Sequence, residues 1–376
     1  MLAAGFVAAA SIGKLVPHLD WLALNYSVQL GLAGFAVSCV MLPGALAGWA
    51  FGALVDRFGA KRIAVTGLLV AAAASFFSGA ADDFWTLVVL RIVEGVGYSL
   101  LVVAGTVIAA GVLPGRSALA LSIWSSFAPI GFALGQFAGA FASGGSPLAA
   151  IGAVHAVVLA TAAVALHFTV GSSRERQQGS SSGSVLRHAP AQRTALALGA
   201  TCAVLLAAVA LAPVVLANRT GLSVAHVASL TALAALPGIV GRIVPGWLLP
   251  RGITPLAFFL SASCAAALCI AGAFAAPLWP ALALYVVFQI AAGALPALLS
   301  AMIPQVAPGP GDLGAVSGMC TQAINVGNLL GPPLALAVYA AAGVGAAVAV
   351  LVALLAASAL AIAGLSVFRR QLSEAA

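Results

Sequence analysis

Twelve apolar runs, each close to the length of a bilayer crossing, punctuate this chain of 376 residues. A spanning helix needs about 20 mostly apolar residues. The runs fall at 2–19, 27–54, 63–81, 84–113, 117–142, 148–170, 194–217, 223–249, 254–276, 279–306, 314–341 and 343–368. Composition carries the same message. Hydrophobic residues make up 63% of the chain and charged residues 6%, against about 25% charged in a soluble domain. Too few polar groups exist to coat a core of this size in water, so lipid is part of the solvent. The fold class expected is all-α, integral to the membrane, with twelve transmembrane helices.

Turn signals separate the runs at Asp82-Asp83, Pro114-Gly115, Gly144 to Pro147, Asn218 to Gly221 and Pro308 to Gly311. Thr254-Pro255 reads as an N-cap with proline at the first helical position, and Ser223 as a plain N-cap. Residues 171–193, "GSSRERQQGSSSGSVLRHAPAQR", are Ser/Gly/Arg-rich and read as a flexible linker. The two sides of that linker repeat. "LPGALAGWAFGALVDR", from Leu42, matches "LPGIVGRIVPGWLLPR", from Leu236, at six of sixteen positions with an offset of 194. Gly131 and Gly135 recur as Gly327 and Gly331 at an offset of 196. Such repeats mark transporter folds with the solute site between the halves. Two pseudo-symmetric six-helix bundles are therefore expected, 1–170 and 194–376.

The formal charge of +7 is a topology signal and gives no ground for a nucleic-acid partner. Twelve spans place eleven Lys and Arg on the side that holds both termini and the 171–193 linker, and Arg219 alone on the other. The bias makes the first side cytoplasmic, in a multi-pass protein of the cell membrane. The N-terminus lacks a basic leader, and its first lysine is Lys14, so no cleavable signal is expected. Cys39, Cys202, Cys264, Cys269 and Cys320 lie inside apolar runs without a CxxC pair and read as buried small apolar residues.

One loop concentrates charge. "GALVDRFGAKR", Gly52 to Arg62, joins spans two and three. It resembles the signature loop of the major facilitator superfamily, G-x-L-x-D-R-x-G-R-K-R. Gly52, Leu54, Asp56, Arg57, Gly59, Lys61 and Arg62 match it, and Ala60 stands where a base is usual. With the twelve spans, the linker and the repeat, the resemblance covers the whole chain. It implies that Asp56 latches onto the start of span eleven and closes a cytoplasmic gate, with Gly52, Arg57, Gly59, Lys61 and Arg62 as the rest of the gating motif. The alternative is a purely positive-inside anchor. The second copy carries Pro250 in place of Asp56 and so lacks the latch.

Ionisable residues within spans are costly and are functional candidates by default. Arg91 and Glu94, three apart in span four, share a helix face and can pair. "RIVEGVG" resembles the superfamily's R-x-x-Q-G-x-G motif with Glu94 for Gln, which implies proton coupling or substrate binding for Arg91; Glu94, the only acid placed well inside a span, is the candidate for proton binding, and the alternative for the pair is a structural ion pair. Arg242, mid-span in "PGIVGRIVPGW", has no acid within four residues. Its GRxxxG pattern is similar to one in the monocarboxylate and oxalate transporter branches, where the Arg meets a carboxylate. Lys14 is either a second cation of the cavity or a snorkelling residue. Gln322, Asn325 and Asn328 line one face of span eleven, for a solute or for neighbouring helices. Gln136 and Gln289 read as helix–helix bonds, Trp124 and Tyr98 as packing or cavity lining, and His155 as a packed interior histidine in preference to a proton carrier.

Lys14, Arg91 and Arg242 against Glu94 leave a net in-span charge of +2. This favours a small anionic organic solute; protons are a candidate coupling ion through Glu94, and the sequence leaves the coupling ion open. No P-loop, metal-ligand spacing or catalytic constellation is present, so no enzyme, cofactor or bound metal is expected. The reading is a monomeric secondary transporter working by alternating access. Its alternatives are a drug/proton efflux antiporter, disfavoured by Gln136 where the antiporter motif GxxxGPxxGG has proline, and a non-transporting solute sensor.

Overall fold

The structure, a computed structural model, describes residues 1–113, 115–140, 147–171, 185–222 and 224–370. Most of the linker, the Gly144–Ser146 turn, Pro114 and the Ser223 cap lie outside the described residues. Those described form helices α1 (Leu2–Gly13), α2 (Leu19–Asn25), α3 (Leu30–Ser38), α4 (Leu42–Phe58), α5 (Ala60–Ser78), α6 (Phe84–Val112), α7 (Ser117–Trp124), α8 (Phe127–Ala140) and α9 (Pro147–Thr169). After the linker come α10 (Ala189–Thr220), α11 (Val224–Ala235), α12 (Gly238–Leu248), α13 (Pro255–Ala275), α14 (Leu278–Ala301), α15 (Ile303–Val306), α16 (Leu313–Ala363) and α17 (Ser366–Arg369).

Ten helical stretches among the described residues, three of them running across breaks between neighbouring elements, are long and apolar enough to cross a membrane. Leu2–His18 is a shorter apolar helix. At 51 residues, α16 would run about 76 Å, more than twice the hydrocarbon thickness of about 30 Å. It breaks at Gly343 (φ 78, ψ −176) and so supplies two crossings. The twelve expected spans are thereby accounted for. Side chains as large as Phe168, Leu268 and Trp279 stand 72–81% exposed, as lipid-facing residues do.

Proline sets the interruptions. Pro43 starts α4 after a 3-10 turn, Cys39–Met41, and Pro237, its counterpart in the repeat, caps α12. Pro17 lies in the 3-10 turn that follows α1. Pro129 follows the break between α7 and α8, so span five is two helices rather than one. Each proline lacks the N–H that would bond the carbonyl four residues back; Cys39 O and Leu233 O accept from nearer backbone N–H groups and Ser125 O accepts from a side chain.

The chain departs from the sequence reading at three further points. Span seven starts at Ala189, so the last five residues of the expected linker are helical. Cys264 is exposed rather than buried; a thiol among apolar neighbours costs little on a lipid-facing surface. Gln289 bonds Tyr285 within its own helix at 2.7 Å instead of reaching across helices.

Two compact units make up the chain. Unit one comprises Met1–Val112, Phe127–Val185 and Pro308–Gln322; unit two comprises Leu113–Ser126, Leu186–Ala307 and Ala323–Ala376. The segments 113–126 and 308–322 thus each pack with the opposite half of the sequence. Glycine seams hold each unit. In unit one, a Cβ on Gly135 of α8 would lie 2.8 Å from Ala10 Cα of α1. In unit two, a Cβ on Gly331 of α16 would lie 2.6 Å from Ala203 O of α10. The repeated GxxxG pairs therefore pack span five on span one and span eleven on span seven.

Outside the spans, Asp83 caps α6 by accepting from Trp85 N at 2.9 Å and Thr86 N at 3.0 Å. Hydrogen bonds from Thr86, side chain first, hold its carboxyl below the usual range.

Candidate functional site

Unit one buries a cluster of polar and ionisable groups drawn from four helices. Arg91 and Glu94 of α6 are fully buried, and Lys14, just past α1, is 4% exposed. Arg91 commits all three of its nitrogens. Nη1 donates to Glu94 Oε2 at 2.5 Å, Nε to Ala36 O at 3.0 Å and Nη2 to Ser11 O at 2.7 Å. Both carbonyls lie in the last turn before a helix break, where no intrahelical donor is at hand. Glu94 meets its second cation through Oε1, 2.6 Å from Lys14 Nζ. Lys14 also donates to Ser75 Oγ of α5 at 2.7 Å and to His155 Nδ1 of α9 at 3.0 Å. It is therefore buried and bonded rather than snorkelling.

Arg242 sits on α12 in unit two, half-buried. Its one side-chain hydrogen bond to a described residue runs from Nη1 to Ser125 O at 3.0 Å. Pro129, four residues on, has no N–H for that carbonyl. A guanidinium carries five N–H donors, so four remain uncommitted among the described residues.

The span-eleven amides divide. Gln322 belongs to unit one, where Oε1 accepts from Trp49 N and Nε2 donates to Leu46 O, both at 3.4 Å. These groups flank Ala47 (φ −133, ψ 19), the kink in α4. Asn325 is buried and Asn328 partly so, both in unit two. Neither makes a side-chain hydrogen bond to another described residue.

In the loop after span two, the Asp56 carboxylate accepts from Gly314 N at 2.8 Å and Ala315 N at 2.7 Å, the first turn of α16. Free N–H groups and the helix dipole both favour an anion there. Gly52 makes the approach possible, since a Cβ on it would lie 2.7 Å from Ala315 Cα. Gly59, at φ 90, ends α4 and opens α5. Arg57 stacks over Phe58 at 5.2 Å; Lys61 is partly exposed and Arg62 exposed.

The structure thus brings together Lys14, Arg91 and Glu94 in one unit and sets Arg242, Asn325 and Asn328 in the other. Sequence reasoning missed Ser75 and gave His155 no part in the charge cluster. The usable signal was polarity inside otherwise apolar runs, but pairing residues 61 to 141 positions apart requires the fold. No group of His, Cys, Asp and Glu suited to a metal occurs among the described residues.

Long apolar helices broken at matched prolines, with buried ionisable groups on their inner faces, define a polytopic transporter. The Major Facilitator Superfamily model matches residues 1–271, and the chain belongs to that superfamily. Its architecture is similar to that of the human organic anion transporter MFSD10 (TETRAN), with a TM-score of 0.77 at 15% identity over 96% of this chain and 97% of that one. It is also similar to the E. coli fucose:proton symporter FucP, with a TM-score of 0.73 at 19% identity over 96% of each. Among curated relatives, multidrug resistance protein MdtH of Enterobacter sp. (strain 638) is 36% identical over 87 residues, 23% of this chain and 20% of its own length. The arabinose-proton symporter of Bacillus subtilis (strain 168) is 29% identical over 101 residues, 24% of this chain and 22% of its own length. The chain thus spans about a fifth of the curated relatives it matches. It is thus a multi-pass membrane protein of a transporter superfamily.

Proposed function

We propose that this transporter moves a small anionic organic solute by alternating access, with Arg242 as the partner of the solute's anionic group. The observation that carries the reading is the uncommitted guanidinium. A charge within a span costs about 2.5–3.5 kcal/mol on insertion scales, and one carbonyl bond offsets only part of that. A carboxylate would take two of its N–H groups in parallel. Asn325 and Asn328 offer amide donors from the same unit. Glu94 is the carboxylate about which the coupling site is built, and the resemblance to a proton symporter over part of the chain supports a proton as the coupling ion.

In this reading 1–170 and 194–376 are pseudo-equivalent bundles of a monomer in the cell membrane, with the 171–193 linker and both termini cytoplasmic. Gly52, Asp56, Arg57, Gly59, Lys61 and Arg62 form the gate on that side. Labelling of Ser181→Cys only from outside the cell would overturn the topology.

A second reading, drug/proton efflux, has the multidrug relative in its favour. The net in-span charge of +2 suits lipophilic cations poorly. Uptake into proteoliposomes of labelled carboxylates, other anions and cationic dyes, with and without a pH gradient, separates the two. Transport of anions, lost in Arg242→Ala, is the expected result; transport of the dyes alone would reverse the assignment.

A further inference from the structure

We infer that the coupling proton is held by His155 and that Lys14 is its resident competitor, the two cations occupying one place beside Glu94 in turn. The inference rests on the transporter reading above and refines its coupling site.

His155 is buried on α9, and its Nε2 lies 2.9 Å from Val7 O of α1. A carbonyl can only accept, so Nε2 carries the proton of the neutral ring and Nδ1 is a lone pair. Three groups face that lone pair: Lys14 Nζ at 3.0 Å, Ser75 Oγ at 3.2 Å and Glu94 Oε1 at 3.4 Å. Lys14 has three acceptors, Glu94 Oε1, Ser75 Oγ and His155 Nδ1. Serving all three takes three N–H groups, which only the ammonium form possesses. Ser75 turns its own hydrogen to Gly152 O at 3.3 Å. Among the described residues, the charged groups facing His155 are therefore Lys14 from α1 and Glu94 from α6, with Arg91 behind Glu94; α5 contributes the neutral Ser75.

A proton on Nδ1 would confront the Lys14 ammonium donor to donor and charge to charge. While Lys14 is in place, the proton is excluded. Once Lys14 withdraws, Nδ1 can take a proton from water and turn it to Glu94 Oε1, already at 3.4 Å. The exchange keeps the buried charge constant. Before it, Arg91, Lys14 and Glu94 sum to +1; after it, Arg91, the imidazolium and Glu94 again sum to +1. No uncompensated charge is buried at either stage, which is the expensive alternative. Glu94 keeps its bond from Arg91 Nη1 throughout and serves as the shared acceptor.

The two cations on Glu94 differ in freedom. Arg91 lies inside α6 and is pinned by two carbonyls of other helices. Lys14 lies one residue past the end of α1, on a flexible four-carbon stem. Movement of that stem away from Glu94 would open one proton site at His155.

The test uses the full chain in nanodiscs, labelled with ¹⁵N-histidine, without solute at about pH 6, near the unperturbed histidine midpoint. His155→Gln, whose amide can still serve Val7 O and Lys14, assigns the His155 signals. The parent should show a neutral ring with the proton on Nε2. Lys14→Gln should show an imidazolium. A neutral ring in a folded Lys14→Gln, checked by its melting profile, would overturn the inference. Flux supplies a second arm if that variant does not fold. In His155→Gln, gradient-driven uptake of a carboxylate carried by the parent should fall about 5- to 150-fold, the ordinary size of a coupling between two binding events. Solute exchange at equal pH should persist. Gradient-driven uptake at the parental rate would overturn His155 as the proton holder, and loss of both fluxes would mark it as structural. Parental uptake that ignores the gradient would refute proton coupling itself, leaving the spectra to decide whether the two cations compete.

Discussion

Arg91 and Arg242 are both arginines within spans, and the difference between them is one of satisfaction. Arg91 has a carboxylate, two carbonyls freed by broken helices and no exposed surface. Arg242 has one freed carbonyl and lies half-buried. The same residue type, met with the same device of an interrupted helix, is locked in one unit and left with spare donors in the other. A buried charge with every donor used is a structural commitment. One with donors to spare points to a ligand. The repeat deepens the contrast, because Arg242 aligns with Gly48. The first half has a glycine there, packed so tightly that a Cβ would lie 2.6 Å from Gly318 O. The second half has the longest cationic side chain.

The largest expected effect is on the locked side. Glu94→Ala leaves Lys14 and Arg91 facing each other without their anion, and removing one partner of a buried ion pair costs about 3–5 kcal/mol. Melting temperature and the yield of monodisperse protein should fall steeply, and Arg91→Ala should behave alike. Arg242→Ala should leave both nearly unchanged. A stable Glu94→Ala beside an unstable Arg242→Ala would invert the comparison.

Next in size is solute affinity. A charged guanidinium–carboxylate bond is worth about 1.5–3 kcal/mol, so Arg242→Ala should weaken binding roughly 10- to 150-fold on purified, monodisperse protein. Arg242→Lys should recover part of this, since lysine keeps the charge without the planar fork. Unchanged affinity would remove Arg242 from the solute site.

Smaller again is the effect of Asp56→Asn, which keeps the shape of the cap on α16 but removes its charge and one of the two acceptors that meet Gly314 N and Ala315 N. An anion at a helix N-terminus contributes about 0.3–1 kcal/mol, so turnover normalised to surface protein should change about two- to fivefold, with insertion intact. Unchanged turnover would leave the Asp56 contact a fixed strut.

Which of these features could be read from sequence follows from their range. Helix number and the Arg91–Glu94 pair depend on local periodicity, and both were legible. The signature loop was legible because its residues are contiguous. What could not be read was convergence: Ser75 and His155 reach Lys14 from other helices, and nothing in an apolar run says which face a lone Ser or His presents. Proline breaks were equally hidden. Pro129 was visible, but that its missing N–H would free Ser125 O for Arg242 depends on tertiary packing.

The smallest effect belongs to Gln322, and it sharpens the comparison at the aligned positions. A Cβ on Gly48 would lie 2.8 Å from Gln322 Cβ, so the glycine makes room for span eleven just where the second half carries Arg242. The Gln322 amide bridges Leu46 O and Trp49 N across the Ala47 kink, a third party inserted where the helix ladder is disturbed. Both bonds are 3.4 Å long, beyond the usual 2.7–3.2 Å for N–H···O, and the side chain is only partly buried. Gln322→Ala should therefore cost no more than about 0.5 kcal/mol, as for a partly exposed position without a strong partner. If Gln322 serves the kink, the melting temperature should move by about 1–2 °C and solute affinity should stay within about twofold, because Arg242 still holds the anion. A drop in affinity of about tenfold at unchanged stability would place Gln322 on the solute. The polar contacts would then not be confined to the unit that carries Arg242, and the division between a locked and a receptive unit would fail.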